Sequence, residues 1–218
     1  MIEETVTFKT SRGLKLSGAL LAPDESLRDM VVFAHGTGSS KSSPRNRGIA
    51  QRLLDAGIGS FLFDFTGHGE SDGLPEQSTQ DQQYDDLNSA LDYLGAQPFV
   101  ATRFVGIHGS STGGTVAIRA AAEDPRIQVM VLRVPREYEI VQFAQMVQAP
   151  TLIIQGSEDS IVLPEAKEIY EALQCTKELR IVQGAGHLFD EDPKFTQEME
   201  EAACEWFVRW FAACAAQD

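Results

Sequence analysis

A serine lies between two glycines in the stretch GSSTG, residues 109–113, a spacing typical of a serine nucleophile. A serine hydroxyl reacts poorly unless a base removes its proton, and a tight turn between a strand and a helix exposes it to that base. Such a turn crowds the residues two before and two after the nucleophile, so both are normally glycine. With Ser111 at the centre both positions are glycine, whereas with Ser110 at the centre they are His108 and Thr112. Ser111 is therefore the predicted nucleophile.

The base that accepts the proton of Ser111 should be a histidine near the end of another strand. Four histidines are present, and only His187, in the stretch VQGAGHLFDED, follows the last predicted strand directly. His35 and His68 stand beside glycines, where roles in holding the backbone are expected, and His108 lies inside a predicted strand. We therefore predict that His187 is the base.

A third group must orient the imidazole and stabilise its charged form. The stretch TLIIQGSEDSIVLPE, between the nucleophile and the histidine, offers Glu158 and Asp159 directly after a predicted strand. Carboxylates in such loops are often only solvated or cap the next helix. The order serine, acid, histidine along the chain nevertheless agrees with a triad built on a strand–turn–helix nucleophile.

The elements that would position these residues alternate along the chain. Apolar runs that end in glycine or proline predict buried strands, and amphipathic stretches between them predict helices. The predicted strands are 5–10, 14–21, 30–36, 60–65, 103–109, 129–135, 151–156 and 179–184. The predicted helices are 44–56, 79–97, 112–123, 137–147, 164–173 and 194–213. This alternation predicts an α/β fold with a mostly parallel sheet of about eight strands, helices on both faces and a single domain over residues 1–218.

Composition and charge exclude several classes of function. The formal net charge of −14 argues against a nucleic-acid partner, and no apolar run reaches the roughly 20 residues of a membrane helix. The acidic, polar N-terminus predicts that no secretory signal is present. The cysteines are odd in number and form no CxxC pair, which favours free thiols in a reducing cytoplasm: Cys175, Cys204 and Cys214. With no HExxH, Cys/His cluster or GxGxxG, we expect neither a metal nor an organic cofactor.

Five stretches together resemble the α/β-hydrolase family: HGTGSS (35–40), FDFTGHGESDG (63–73), GSSTGG (109–114), GSEDSIV (156–162) and GAGH (184–187). The resemblance covers about residues 5 to 212, and residues 42–57 look like the dienelactone-hydrolase-like branch. It implies that Asp159 is the acid and that the backbone N–H groups of Thr37 and Thr112 form the oxyanion hole. Thr112 also opens a predicted helix, where N–H groups point outward. Dienelactone hydrolases proper carry a cysteine at the elbow, so Ser111 favours ordinary ester hydrolysis.

The segment between the sixth and seventh predicted strands bears on the substrate. Residues 136–150 can hold only one short helix, so we expect no cap domain and an open, shallow cleft. Tyr138 and Phe143 either line this cleft or pack on the sheet. The sequence thus predicts a serine carboxylesterase for short-chain soluble esters. A thioesterase or amidase with the same triad, and a non-catalytic small-molecule-binding protein of the same fold, are the alternatives. The oligomeric state and the natural substrate are left open.

Overall fold

The eight strands of the protein form one sheet, in a computed structural model that describes residues 2–24, 28–97 and 100–216. The strands are β1 (Ile2–Lys9), β2 (Lys15–Ala22), β3 (Arg28–Ala34), β4 (Gly59–Phe63), β5 (Val100–Ser110), β6 (Ile127–Arg133), β7 (Thr151–Gly156) and β8 (Lys177–Val182). Their order across the sheet is β1-β2-β4-β3-β5-β6-β7-β8. Strand β2 is antiparallel to both of its neighbours, β1 and β4, and the six strands β4-β3-β5-β6-β7-β8 are parallel to one another. The predicted fold class is confirmed.

Helices cover both faces of this sheet. They are α1 (Pro44–Asp55), α2 (Gln80–Gly95), α3 (Thr112–Glu123), α4 (Val141–Ala144), α5 (Leu163–Ala172) and α6 (Pro193–Ala215). One apolar core lies between the sheet and helices α1 and α6, and the other between the sheet and helices α2 to α5. Strands covered on both faces have no polar side, which explains why β4 and β7 are buried along their whole length.

The connection between β6 and β7 is short, as the sequence predicts. Residues 134–150 contain only the four-residue α4, which is shorter than the predicted helix at 137–147. Glu139 has a positive φ of 57°, a conformation that a helix cannot contain, so the helix begins only after it. No cap domain is built from this segment.

The carboxyl ends of the parallel strands meet at one edge of the sheet, and the loops that follow β3, β5, β6, β7 and β8 converge there. This is the edge at which α/β proteins bind their ligands. Within the described residues, no helix combines the length and apolar character needed to cross a bilayer.

Candidate active site

Ser111 occupies a strained turn between β5 and α3. Its φ of 51° and ψ of −120° lie outside the regions that non-glycine residues normally adopt. The glycines around it are required by close backbone contacts. A Cβ atom at Gly113 would lie 2.3 Å from the carbonyl oxygen of Ala34, and one at Gly109 would lie 2.7 Å from the Cα of Gly114. Gly109 and Gly113 are therefore as crowded as the Gly-x-Ser-x-Gly spacing predicts.

The two adjacent serines have different surroundings. Ser110 is 1% exposed, and its Oγ donates to Oδ1 of Asn46 in α1 at 3.2 Å. Ser111 is partly exposed at the carboxyl edge of the sheet. Its N–H donates to the carbonyl oxygen of Arg133 at 2.9 Å, and its own carbonyl accepts from Gly114 at 2.9 Å. The backbone of Ser111 is thus held in place while its side chain is left for solvent or substrate.

His187 and Asp159 form a hydrogen-bonded pair. Nδ1 of His187 lies 2.7 Å from Oδ2 of Asp159, and the carboxylate side chain is 6% exposed against 37% for the imidazole. Gln155 Nε2 and the N–H of Val162 also donate to this carboxylate, at 3.1 and 3.3 Å. Because an ionised carboxylate can only accept a hydrogen bond, Nδ1 of His187 is the donor to Asp159 in this pair.

The neighbouring carboxylate makes different contacts. Glu158 is exposed and accepts a hydrogen bond from the Ser157 hydroxyl. Of the two acids that the sequence left open, Asp159 is the one that contacts His187.

Two of the other histidines, His35 and His108, are buried in the core of the fold. His35 Nδ1 donates to the Gly36 carbonyl at 2.8 Å, while its Nε2 accepts from the N–H of Phe65 at 3.1 Å. Burial lowers the pKa of His35 to about 4, and that of the fully buried His108 to about 3, so both rings are neutral at pH 7.

The two threonines named for the oxyanion hole are adjacent. The N–H of Thr37 donates to Oγ1 of Thr112 at 2.9 Å, and the two hydroxyl oxygens lie 3.0 Å apart. Thr112 is the first residue of α3, where N–H groups have no partner within the helix. The N–H of Thr37 is thus occupied by a threonine hydroxyl in this state.

The two aromatic residues named as possible lining differ in their contacts. Tyr138 is 39% exposed, and the guanidinium of Arg136 lies 5.1 Å from its ring centroid. Phe143 packs against the core beneath α3, with Arg119 5.6 Å from its ring centroid. Arg119 lies eight residues after Ser111 along the helix, which corresponds to about 12 Å. The packing of Phe143 against the core favours the second of the two alternatives that the sequence left open, and its role as a lining residue stays a prediction.

Comparison with known proteins identifies the family. A family profile described as "Serine aminopeptidase, S33" matches residues 25–136. The structure of a dienelactone hydrolase from Anabaena variabilis has a TM-score of 0.85 to this chain at 33% sequence identity, covering 96% of this chain and 98% of that one. The chain belongs to the α/β-hydrolase family. Within that family it is similar to dienelactone hydrolases and esterases.

The chain is also similar to more distant and to longer proteins. Est1E of Butyrivibrio proteoclasticus, solved with ferulic acid, has the same fold, with a TM-score of 0.86, 18% identity, and coverage of 95% of this chain and 99% of that one. A putative phosphoribosyl transferase of Mycobacterium tuberculosis is 36% identical over 195 residues, which cover 88% of this chain and 43% of the relative. Thiohydrolase aneE of Aspergillus aculeatus is 35% identical over 129 residues, covering 58% of this chain and 39% of the relative. The chain spans less than half the length of these two curated relatives.

One residue of this α/β-hydrolase site was missed by the sequence reasoning. Arg133 ends β6; its carbonyl accepts from Ser111, and its Nη1 lies 3.5 Å from the carbonyl oxygen of His187. It therefore lies between the nucleophile turn and the histidine loop. A signal was present, because a single arginine stands at the end of the otherwise apolar strand VMVLRVP.

Proposed function

We propose that this α/β-hydrolase is a serine carboxylesterase that cleaves short-chain soluble esters through an acyl-enzyme on Ser111. The observation that carries the proposal is the Asp159–His187 pair, joined through Arg133 to the strained turn of Ser111. A positive φ at serine costs stability, and such strain persists where the surrounding structure imposes it, which is common at catalytic nucleophiles.

Each residue has a defined part in the proposed reaction. Ser111 Oγ attacks the acyl carbon while Nε2 of His187 takes its proton and then passes it to the departing alcohol. Asp159 holds the imidazole and stabilises its charged form. The N–H groups of Thr37 and Thr112 bind the oxyanion of the tetrahedral intermediate. Water then repeats the same steps on the acyl-enzyme and releases the acid.

The expected substrate size follows from the short connection after β6. Each buried CH₂ group of an acyl chain adds about 0.8 kcal/mol of binding, but only where an apolar wall covers it. Residues 134–150 form only α4 and supply no cap. We therefore propose acyl groups of roughly two to six carbons. Tyr138, exposed on this connection, is the proposed lining residue.

Thioester hydrolysis is the second candidate. It is favoured by the 35% identity to thiohydrolase aneE, since thioesters and oxyesters pass through the same acyl-enzyme. Amide hydrolysis needs a stronger proton donor to the leaving group and has no comparable observation beyond the description of the matched family.

A substrate panel separates these candidates. We would measure kcat/KM for p-nitrophenyl esters from acetyl to dodecanoyl, acyl thioesters and acyl p-nitroanilides. The proposal expects the highest values for oxyesters up to hexanoyl and no jump in rate above the critical micelle concentration. A rate that climbs through dodecanoyl, or rises with micelles, would exclude the open cleft. A preference for thioesters would replace the carboxylesterase proposal with the second candidate.

A further inference from the structure

Two arginines beneath the catalytic loops lack the acidic partner that most of the others have. The chain carries 32 acidic against 18 basic residues, so most arginines can be expected to find a carboxylate as a partner. Where the structure describes both partners, six arginines form ion pairs with carboxylates: Arg47, Arg52, Arg119, Arg126, Arg136 and Arg180. Neither Arg45 nor Arg133 forms an ion pair with any carboxylate of the described residues.

Both guanidinium groups also have an unused donor. The Nε atoms of Arg45 and Arg133 are buried, and neither has a hydrogen-bond partner among the described residues. Arg133 as a whole is 5% exposed, and within the described part of the chain its one side-chain hydrogen bond is the 3.5 Å contact with the carbonyl oxygen of His187. A buried charge without a counter-charge is strongly destabilising, so such groups are normally paired.

The two arginines converge on the first turn of α1. Arg133 and Ser110 are partners in the parallel register of β5 and β6, so their side chains point to the same face of the sheet. On that face Ser110 donates to Asn46, in the first turn of α1, next to Arg45. Burial and then the positive charge of Arg45 lower the pKa of Arg133 to about 9, as expected for two close guanidinium groups.

Two further features favour a negative charge at this place. Helix α1 has 12 residues, and its N-cap Ser43 makes no side-chain capping bond, so the positive end of the helix is not neutralised there. The fully buried His108 lies on the same face, close enough to Arg133 for that charge to lower its pKa, and neither of its ring nitrogens hydrogen-bonds to another of the described residues.

We propose that Arg45, Arg133 and the first turn of α1 bind an oxyanion, a carboxylate or phosphate group, beneath the loop that carries His187. Guanidinium forks match the geometry of these groups, and hydrogen bonds between such charges are roughly twice as strong as neutral ones. The bound anion would neutralise the buried arginines. Because Arg133 also contacts Ser111 and His187, the anion would fix the spacing between nucleophile and base. The source is either a free ion or the acidic group of a substrate; only the second rests on the proposed esterase function.

Thermal unfolding tests the site without any need for activity. We would record Tm in sodium phosphate, sodium acetate and sodium chloride at equal ionic strength, for the wild type and for Arg45→Gln, Arg133→Met and Arg47→Gln. Arg47 lies in the same turn as Arg45 but is paired with Glu3, so its variant is the matched control. At ten times the dissociation constant, phosphate or acetate should raise the Tm of the wild type and the control by about 3–6 °C over chloride. In the other two variants the rise should be below about 1 °C by the same relation.

Two thermal results would overturn the proposal. One is an equal rise in all four proteins, which is the general effect of excluded salts on any folded protein. The other is a wild type that phosphate and acetate leave unchanged relative to chloride. Arg45 is only half-buried, so Arg45→Gln keeps the test valid even if Arg133→Met fails to fold.

A kinetic arm identifies the source of the anion. We would compare kcat/KM for p-nitrophenyl butyrate with that for the p-nitrophenyl monoester of glutaric acid. If the acidic group of a substrate is the ligand, Arg45→Gln lowers the rate for the acidic ester at least tenfold more than that for the neutral one, while Arg47→Gln affects both equally. If a free ion is the ligand, Arg45→Gln leaves the ratio of the two kcat/KM values unchanged and removes only the rise in Tm that the anion causes. A wild type that cleaves neither ester contradicts the proposed function, and the thermal result still decides the anion site.

Discussion

The peptide N–H of Thr37 donates to the hydroxyl oxygen of Thr112 over 2.9 Å, so the proposed oxyanion donor is satisfied before any substrate arrives. The hydroxyl oxygen of Thr37 also lies 3.0 Å from the hydroxyl oxygen of Thr112. An oxyanion that takes up the N–H of Thr37 must displace the hydroxyl of Thr112. In the resting site, the hydroxyl of Thr112 therefore competes with the oxyanion of the transition state for the N–H of Thr37.

Removing this competitor should accelerate the reaction. A hydrogen bond of this kind contributes about 0.5–1.5 kcal/mol net, so Thr112→Ala should raise kcat/KM by about 2- to 10-fold. Thr112→Ser keeps the hydroxyl and should stay near the wild type. Steady-state kinetics with p-nitrophenyl acetate measures both. A fall in kcat/KM for Thr112→Ala with a wild-type value for Thr112→Ser would mean that the hydroxyl assists the oxyanion instead.

Substituting each of two neighbouring carboxylates tests which of them is the acid of the proposed triad. Asp159→Asn removes the charge beside Nδ1 of His187 but keeps the shape of the side chain, and the equivalent change in a related triad costs about 10⁴ in kcat. Glu158→Gln alters an exposed side chain that accepts a hydrogen bond from Ser157, and it should change kcat less than about twofold. Comparable losses in the two variants would show that the Asp159–His187 contact is not what supports catalysis.

Much of the fold followed from local pattern, because amphipathic stretches predicted the helices and continuous apolar runs predicted the buried strands. The Gly-x-Ser-x-Gly spacing also pointed to Ser111, since crowding at Gly109 and Gly113 is a local property of one turn. What the sequence could not supply were contacts between distant loops. Arg133 is one example, since its side chain meets His187 only after β6 and the loop after β8 are brought together.

Backbone strain was equally invisible in the sequence. Val134 has a positive φ of 46° although it is β-branched. The sequence predicted a strand through residue 135, which would give Val134 an extended backbone instead. The position of Val134 is imposed by the neighbouring hydrogen bond from Ser111 to Arg133 and by that from Arg136 to Ser111, which bind this segment to the nucleophile turn. Phe143 was ambiguous for a similar reason, because an aromatic residue on a short connection can face either the cleft or the core.

The buried histidine of β5 should make stability depend on pH. His108 is fully buried and packs beside Phe33, with ring centroids 5.1 Å apart, and burial lowers its pKa to about 3. Below pH 6.5 the imidazole of His108 binds a proton in the unfolded chain but not in the folded chain. This residue therefore lowers the free energy of unfolding as the pH falls from 6.5 toward 3. The slope for one such proton approaches about 1.4 kcal/mol per pH unit.

Replacing this histidine by a ring that cannot titrate should flatten that slope. His108→Phe should lose less free energy of unfolding between pH 6.5 and pH 4.5 than the wild type, by up to about 2–3 kcal/mol. Urea unfolding of both proteins across this range measures the difference. The histidine at position 35 continues to contribute in both, so some slope is expected in the variant. Parallel curves for the two proteins would contradict the neutral, buried state of His108.

Covalent labelling is the sharpest test of whether Ser111 is an activated nucleophile. A fluorophosphonate reacts with a serine whose proton is taken by a base, and mass spectrometry then locates the modified residue. We expect stoichiometric labelling at Ser111, its loss in Ser111→Ala together with a fall in kcat on the order of 10⁶, and its retention in Ser110→Ala, which removes a buried contact with Asn46. A wild-type protein that remains unlabelled, or a label that is lost in Ser110→Ala, would show that Ser111 is not the activated nucleophile.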